Sequence, residues 1–195
     1  ITSLNAADLQ YAREKDFKVK LIAKAFYLEL GEIAAYVMPQ FVTPDDQLYA
    51  VNNEYNAILI GSLLADEQFL YGKGAGRYPT ASAVLSDISA LNYQYRYEYK
   101  KSDQNVKIIL SQSAMINVYI GWEKGVVFDK KIMQEINTEF TGERYCFLTG
   151  KISLHNLFSL SGRKDISLIE LPQQANHSIA LQPLGLAKTL CTEDV

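Results

Sequence analysis

The chain has 195 residues, a formal net charge of −3, 48% hydrophobic residues and 21% charged residues. This balance is typical of a folded globular protein, and it excludes a disordered chain, a collagen-like repeat and a disulfide-dense mini-protein. At roughly 150 residues per domain, the length predicts one large domain or two small ones. The first residue is Ile1 rather than Met, so we expect that the sequence starts inside a longer protein.

Several functional classes are disfavoured by the same numbers. No apolar run approaches the roughly 18 residues that span a bilayer, so we expect no membrane association. Neither half of the chain is basic, which argues against nucleic-acid binding. Cys146 and Cys191 form no CxxC motif, and His155 and His177 lie near no ligand at metal-binding spacing. These patterns predict a reducing, cytoplasmic location and no metal site.

The first predicted elements are a short helix and a strand. Asn5 can cap a helix from Ala6 to about Lys15, because its side chain can accept hydrogen bonds from free N–H groups of the first turn. The alternation after Phe17 predicts a strand with one apolar face and one solvated, lysine-rich face. The apolar members are Val19, Leu21, Ala23 and Ala25, and the lysines are Lys18, Lys20 and Lys24.

Two predicted hairpins and a helix follow. Gly31-Glu32 suits a tight turn between two strands. A second hairpin turns around Ala65-Asp66, between strands at 56–64 and 68–71. From Thr80 the apolar period changes from 2 to 3.6, which predicts an amphipathic helix. Its apolar face consists of Ala81, Val84, Leu85, Ile88 and Leu91.

The stretch NYQYRYEYK places four tyrosines, from Tyr93 to Tyr99, at alternate positions. Strict alternation of aromatic residues predicts a half-buried strand that packs on helices. A platform that stacks nucleobases is the alternative, but the interleaved Arg, Glu and Lys add little net charge. The polar residues 101–105 are the best candidate for a linker between two domains.

The second half predicts strands at 106–110 and 115–122, a helix after Asp129, a strand at 145–149, a short helix capped by Ser153 and a strand at 166–171. We therefore predict an α+β fold. Residues 1–103 would form a mixed or antiparallel sheet with helices on one face, and residues 104–195 a small α+β domain.

The segment with the most chemical information is the glycine-rich stretch around Gly72, Gly74 and Gly76, between a strand and a helix. Glycine allows a positive φ and close approach of a ligand, and the free N–H groups at a helix start favour anions. The spacing does not fit a Rossmann fingerprint, and Lys73 is followed by Gly74 rather than by the Ser or Thr of a P-loop. By spacing alone, a tight turn whose glycines bind no ligand is favoured slightly.

Four segments together follow the pattern of one enzyme family. Gly74-Ala75-Gly76, then Pro79-Thr80-Ala81-Ser82-Ala83-Val84 and Asp87, is similar to a pattern G-A-G-x-x-P-T-A-S-A-V-x-x-D. The opening ITSLNAADLQYAREKDFKVKLIAKA, the V-x-P-x-x-V formed by Val37, Pro39 and Val42, and the pair Asn56-Ala57 follow in the family's order. By these motifs, residues 1–103 resemble the later part of homoserine dehydrogenase.

The resemblance implies NAD(P)-dependent interconversion of aspartate semialdehyde and homoserine, on the route to threonine and methionine. It implies that the G-A-G loop approaches the cofactor near the nicotinamide, which makes Gly74, Ala75, Gly76 and Thr80 the candidate cofactor-binding residues. Independently of the resemblance, a homodimer formed through the sheet is a further possibility, because a partner would cover the apolar or aromatic strands at 56–64 and 93–99 that would otherwise be exposed edges. The family's dinucleotide-binding domain, and its catalytic acid and lysine, have no match in residues 1–195. We therefore expect no catalytic residue in this chain, and no bound cofactor or dehydrogenase activity from the chain alone.

Residues 104–195 leave two interpretations open. Some family members carry a C-terminal sensing domain of the βαββαβ (ACT) type, which would place an amino-acid effector site within 104–171. A structural or dimerising appendage is the other interpretation. The alternative to a dehydrogenase part is accordingly an amino-acid-sensing module without catalysis.

Overall fold

A computed structural model describes residues 4–28, 31–62, 64–95 and 108–172. Within these ranges the α-helices and β-strands follow one another in a mixed α+β order. They are α1 (Ala6–Glu14), β1 (Lys18–Tyr27), β2 (Glu32–Val42), β3 (Tyr55–Ser62), β4 (Asp66–Lys73), α2 (Arg77–Asn92), β5 (Ile109–Leu110), β6 (Met115–Glu123), β7 (Glu135–Thr141), β8 (Tyr145–Ser153), α3 (Leu154–Ser159) and β9 (Ile166–Glu170).

One mixed sheet of seven strands organises most of the described chain. Its order is β1-β2-β9-β6-β8-β7, and the short β5 pairs with β2. The hairpin of β1 and β2 joins β9 through a single parallel pair, Gln40 with Glu170. A mixed sheet is therefore confirmed, but it combines strands from both sides of residue 103 instead of being formed by residues 1–103.

The prediction of helices on one face of the sheet is wrong, because α1 and α3 cover opposite faces. The larger core cluster places α3 on side chains at even positions of β6 and β8, such as Val118, Ile120 and Leu148. The smaller cluster places α1 on side chains of the other face, namely Phe41, Tyr119 and Ile169. Because side chains alternate along a strand, both faces of β6 are buried.

The predicted first helix is confirmed, and its cap has a second function. The Asn5 side chain accepts hydrogen bonds from the N–H groups of Ala7 and Asp8, and Asp8 accepts one from the Asn5 N–H at 2.8 Å, a capping box. The Asp8 carboxylate is fully buried and also accepts a hydrogen bond from the Tyr145 hydroxyl on β8. The Ser167 hydroxyl lies 3.2 Å from the same tyrosine oxygen. Polar contacts therefore fix α1 to strands that lie more than a hundred residues away in sequence.

Aromatic packing reinforces this contact. The Tyr11 ring lies 4.7 Å from the Tyr119 ring and 5.1 Å from the Phe147 ring, measured between centroids. The Phe41 and Tyr119 rings meet edge to face at 5.5 Å. Burial, followed by the hydrogen bond to Asp8, raises the pKa of Tyr145 to about 12. The phenol is therefore uncharged at neutral pH, and its hydroxyl donates a hydrogen bond to the Asp8 carboxylate.

The predicted strand β1 is confirmed, but the assignment of its two faces is wrong. The three lysines lie on the better-covered face, where the Lys18 ammonium donates to the Tyr49 carbonyl and the Lys24 ammonium pairs with Glu170 at 2.7 Å. Leu21, on the opposite face, is 55% exposed. Alternation identifies the strand but not its buried side. Long lysine side chains can cover apolar surface while their ammonium groups reach acceptors on other segments.

Two further predictions of local structure are corrected. The segment after Asp129 forms only a 3-10 turn, Lys130–Ile132, and then β7 instead of a helix. Ile136 and Phe140 are four residues apart, a spacing that suits one face of a strand as well as of a helix, and the threonines of β7 favour a strand. The predicted tyrosine strand is also wrong at its start, because Tyr93 and Gln94 form the turn that ends α2. Residues 96–107, including the predicted linker, lie outside the described residues.

The strands from β6 to β9 form two interleaved units. β6 and β7 both run antiparallel to β8, which lies between them, and β8 and β9 both run antiparallel to β6. The second crossover contains α3, whereas the first contains only the 3-10 turn. No helix within the described residues is long and apolar enough to cross a bilayer.

Candidate functional site

The candidate site lies at the base of a hairpin that stands apart from the main sheet. β3 and β4 pair antiparallel over all eight residues of each strand, from Tyr55 with Lys73 to Ser62 with Asp66. Asp66 adopts a positive φ of 47° beside the turn, and this predicted hairpin is confirmed. The Tyr55 and Tyr71 rings stack at 4.8 Å on one face of it. The register places Asn56 opposite Gly72, just before the glycine loop.

Asn56 and Gly74 lie in direct contact. A Cβ atom built on Gly74 would lie 1.7 Å from the Asn56 Nδ2 atom, so any side chain at position 74 would displace the amide of Asn56. The Gly74 N–H donates a hydrogen bond to the Glu54 carbonyl at 2.9 Å. This bond extends the hydrogen-bond ladder between β3 and β4 by one residue beyond the pair of Tyr55 and Lys73. A Cβ atom built on Gly72 would have no neighbouring atom within 4 Å. A side chain at position 74 would therefore force the Asn56 amide to move, whereas one at position 72 would meet no neighbour.

The loop ends in a helix start without a side-chain cap. Gly76 has a φ of +120°, a conformation that other residues rarely adopt, and no side chain caps the first turn of α2. The Thr80 N–H donates to the Gly76 carbonyl at 3.1 Å, and the Thr80 side chain is exposed on the first turn. Gly74, Ala75, Gly76 and Thr80 thus form one exposed loop and helix start, where N–H groups favour the polar or anionic part of a ligand.

Charged side chains flank the loop. The Lys73 ammonium lies 3.0 Å from the Glu54 carboxylate and 5.4 Å above the Tyr55 ring. A backbone hydrogen bond, and then Lys73, lower the pKa of Glu54, and the hydrogen bond to Glu54 raises the pKa of Lys73. The Arg77 guanidinium lies 5.3 Å from the Tyr78 ring. Because Lys73 is paired with a carboxylate, Arg77 is the cation better placed to meet an anion.

The elements that carry the loop expose much apolar surface. Every residue of β4 is exposed, and α2 has no buried residue. The predicted helix after Thr80 is confirmed and begins slightly earlier, at Arg77. Its predicted apolar face is exposed rather than packed, as shown by Leu85, which is 64% exposed, and Leu91, which is 74% exposed. Exposed apolar surfaces of this kind occur at protein–protein interfaces, membrane-binding sites and ligand-binding grooves.

No other predicted reactive residue forms a site in the part of the chain that the structure describes. Cys146 is a buried thiol in the core, and the His155 ring lies 3.2 Å from the Gln112 side chain on the surface. Among these residues no three His, Cys, Asp or Glu side chains gather around a position that could hold a metal ion. The contact of Asn56 with Gly74 could not be read from spacing, since it depends on the register of β3 and β4.

Comparisons with known proteins concern the same part of the chain. The family model for homoserine dehydrogenase matches residues 1–89. A homoserine dehydrogenase from Corynebacterium glutamicum is 37% identical over 92 residues, which are 45% of this chain and 21% of that enzyme. An NAD(+)-dependent homoserine dehydrogenase from Pseudomonas canavaninivorans is 36% identical over 88 residues, covering 45% of this chain and 25% of that enzyme. The predicted resemblance is therefore confirmed over this region.

Solved structures extend the likeness of the fold beyond that region. The crystal structure of a homoserine dehydrogenase from Thiobacillus denitrificans has a TM-score of 0.64 at 21% identity, covering 89% of this chain and 46% of that one. A homoserine dehydrogenase from S. aureus has a TM-score of 0.53 at 23% identity, covering 86% and 44%. At these identities the structures show a shared fold. The chain spans less than half the length of either enzyme.

Proposed function

We propose that this chain is part of an NAD(P)-dependent homoserine dehydrogenase, which interconverts aspartate semialdehyde and homoserine. One observation carries the proposal: the Asn56-Ala57 and Gly74-Ala75-Gly76 motifs, at opposite ends of one hairpin in the sequence, meet at its base. Family motifs that come together in space support a shared site more strongly than motifs that merely occur in the same order. The match to residues 1–89 supports the same assignment.

In this proposal the loop forms one wall of the cofactor site. NAD(P), when bound, supplies or accepts the hydride. Gly74, Ala75 and Gly76 let the main chain approach the cofactor because no bulky side chain intervenes, and Asn56 packs against Gly74 and keeps the loop in place. The uncapped N-terminus of α2 and the exposed Thr80 hydroxyl offer hydrogen-bond donors to a polar part of the cofactor.

The 195 residues contain only part of the catalytic machinery under this proposal. The family's dinucleotide-binding domain and its catalytic acid and lysine have no sequence match here. Two exposed apolar surfaces are consistent with this, namely the α2 face and the side of the main sheet that carries Leu21 and Val37, which is 65% exposed. We propose that the remainder of the enzyme covers both surfaces in the assembled protein.

The hairpin supports a dimer in the same enzyme. Ile58, Ile60 and Leu70 are exposed on β3 and β4, and each strand has an edge without a partner strand among the described residues. An apolar two-stranded hairpin is marginally stable alone in water, and a second copy would cover its edges and apolar side chains. Sedimentation at micromolar concentration should show a dimer, and an Ile58→Lys variant should shift it to the monomer.

The direct test compares two proteins. The 195-residue chain alone should show no oxidation of homoserine with NAD or NADP, whereas an enzyme in which a dinucleotide-binding domain and the catalytic segment precede it should. In that enzyme Gly74→Ala should raise the KM for the dinucleotide, because the new methyl group displaces Asn56 toward the cofactor, while Gly72→Ala should not. Turnover by the 195 residues alone would contradict the proposed division of the site.

The arrangement of β6 to β9 favours a second candidate function for the later region. Two interleaved β-crossover-β units are the plan of the βαββαβ domains that sense amino acids, although the first crossover lacks its helix here. We propose this as the alternative to a purely structural role. A ligand that binds only the native state raises the melting temperature once its concentration exceeds Kd, and the stabilisation grows with the logarithm of that excess. Threonine, methionine and lysine should be compared, and no shift with any of them would count against sensing.

A further inference from the structure

The main sheet opens between β2 and β9. β2 pairs with β1 along its length from Ile33 to Val42, but it pairs with β9 only at Gln40 and Glu170. At its start β2 pairs with β5, at Glu32 and Ile33, so the part of β2 between Ile33 and Gln40 has no strand partner on this side among the described residues. A mixed sheet normally closes such an edge with further pairs, so the opening is a distinct feature of this fold.

A cavity of about 290 Å³ occupies this opening. Its walls come from both strands, from α3 and from the loop after α3. The walls are chiefly apolar, and their apolar side chains include Met38, Leu157, Phe158, Leu160 and Leu168. The volume is close to the lower limit of small-molecule sites, which are typically about 300 to 1,000 Å³ and mostly apolar with a few polar groups.

Two buried polar atoms beside the opening have no hydrogen-bond partner. Tyr36 lines the cavity and is only 6% exposed, and its hydroxyl lies near the Glu170 carboxylate without a hydrogen bond of ordinary geometry. The Gln40 Oε1 atom, at the closed end where β2 meets β9, is also buried without a partner. Burial, and then the nearby Glu170, raise the pKa of Tyr36, so its phenol stays protonated and can donate. Unsatisfied buried groups are rare in folded proteins and require an explanation.

The charges at the cavity have one sign. Arg163 and Lys164 line it, and no carboxylate does. Arg163 already pairs with Asp165, and its Nε atom lies 2.9 Å from that carboxylate. Lys164 is therefore the cation more available to bind a ligand. Nearby, the Lys24 ammonium pairs with the Glu170 carboxylate at 2.7 Å. This ion pair weakens the repulsion between Glu170 and an anionic ligand in the cavity.

We propose that the opening between β2 and β9 binds a small molecule with a compact aliphatic body and one carboxylate. The aliphatic body fills the apolar cavity, the Tyr36 hydroxyl donates a hydrogen bond to the ligand, and Lys164 meets the carboxylate at the rim. The site combines residues from both halves of the chain, and it does not depend on dehydrogenase activity or on the glycine loop.

The test uses the 195-residue chain and two probes of the same shape, isocaproate and its neutral amide. Calorimetry and thermal shift should show binding of the carboxylate and at least about fivefold weaker binding of the amide, the loss expected for one charge-assisted contact. Equal affinity for both probes, or no binding of either, would overturn the proposal. Lys164→Met should weaken isocaproate binding by a similar factor, while Lys131→Met, at an exposed position away from the cavity, should not.

Tyr36→Phe separates a ligand-binding role from a structural one. If the hydroxyl serves a ligand, the variant keeps the melting temperature of the parent chain without ligand and binds isocaproate about fivefold more weakly. If the hydroxyl instead holds a structural water, the variant melts at a lower temperature and binds isocaproate as the parent does, which would overturn the proposal. Tyr71→Phe on the exposed hairpin is the matched control and should change neither quantity.

Discussion

The main sheet and the β3–β4–α2 segment differ in how much of their apolar surface is buried. In the sheet, Phe41, Tyr119 and Ile169 have no exposed surface, and polar contacts tie α1 to β8. In the other segment, strands and helix form as the sequence predicts, yet α2 has no buried residue. A regular amphipathic pattern therefore establishes an element, while its burial depends on a partner surface.

Two phenylalanine substitutions test this difference in burial, and the first has the largest expected effect on stability. Phe41→Ala should lower the free energy of unfolding by about 3 to 5 kcal/mol, because it leaves a cavity among Tyr11, Tyr119 and Ile169. Phe69→Ala, on the exposed hairpin, should cost about 1 kcal/mol or less. Chemical denaturation of both variants measures the two values. Equal losses would mean that Phe69, which lies on the hairpin face opposite to Ile58, is also buried in solution.

A smaller effect concerns the polar contact between α1 and β8. Tyr145→Phe removes the hydroxyl that donates to the buried Asp8 carboxylate, and it should lower the free energy of unfolding by about 1 to 3 kcal/mol. Tyr71→Phe serves as the control because its ring is about half exposed. Hydrogen exchange should show faster opening of α1 in the first variant only. Unchanged exchange in α1 would show that aromatic packing alone holds the helix.

Substitutions in the glycine loop should change the free energy of unfolding only slightly. Gly74→Ala forces the Asn56 amide aside, and since that side chain is exposed and can rotate, we expect a loss of about 1 kcal/mol or less. Gly72→Ala should introduce no clash, and Asn56→Ala in the Gly74→Ala background should remove the steric conflict. NMR shifts of the Asn56 side-chain amide report the displacement. An unmoved amide in Gly74→Ala would contradict the described contact.

The smallest effect concerns the exposed ion pair beside the loop. The pKa of Glu54 lies below its ordinary value because of a backbone hydrogen bond and then Lys73. The stabilisation from a lowered carboxyl pKa is present above the unfolded-state pKa and is lost as pH falls through the folded-state pKa. Lys73→Met should raise the Glu54 pKa toward its ordinary value, measured by NMR titration of the carboxyl carbon. Lys151→Met is the control, since Lys151 pairs with Glu135 instead.

Local chemistry determined much of the fold. Asn5 specified where α1 begins, because a cap needs only neighbouring N–H groups, and alternation specified β1 and the β3–β4 hairpin. The helix predicted after Asp129 failed because Ile136 and Phe140 suit one face of a strand equally well. The buried side of β1 was also misassigned, since the acceptors for Lys18 and Lys24 come from distant segments.

The candidate site divides in the same way. The glycine spacing and the family pattern identified Gly74, Ala75, Gly76 and Thr80 from sequence alone, because these residues are contiguous or nearly so. Only the register of β3 with β4 brought Asn56 against Gly74. The opening between β2 and β9 had no signal in the sequence, because it results from a single long-range pair between Gln40 and Glu170.

By itself the sequence therefore determined the local elements, the glycine loop and the family resemblance of the first region, all of which depend on residues close together in the chain. The tertiary structure decided which strands share a sheet, which faces are covered and which polar groups are left without partners. The physical reason is that burial and hydrogen-bond satisfaction are properties of pairs of surfaces, and a pattern along one segment describes only one member of each pair.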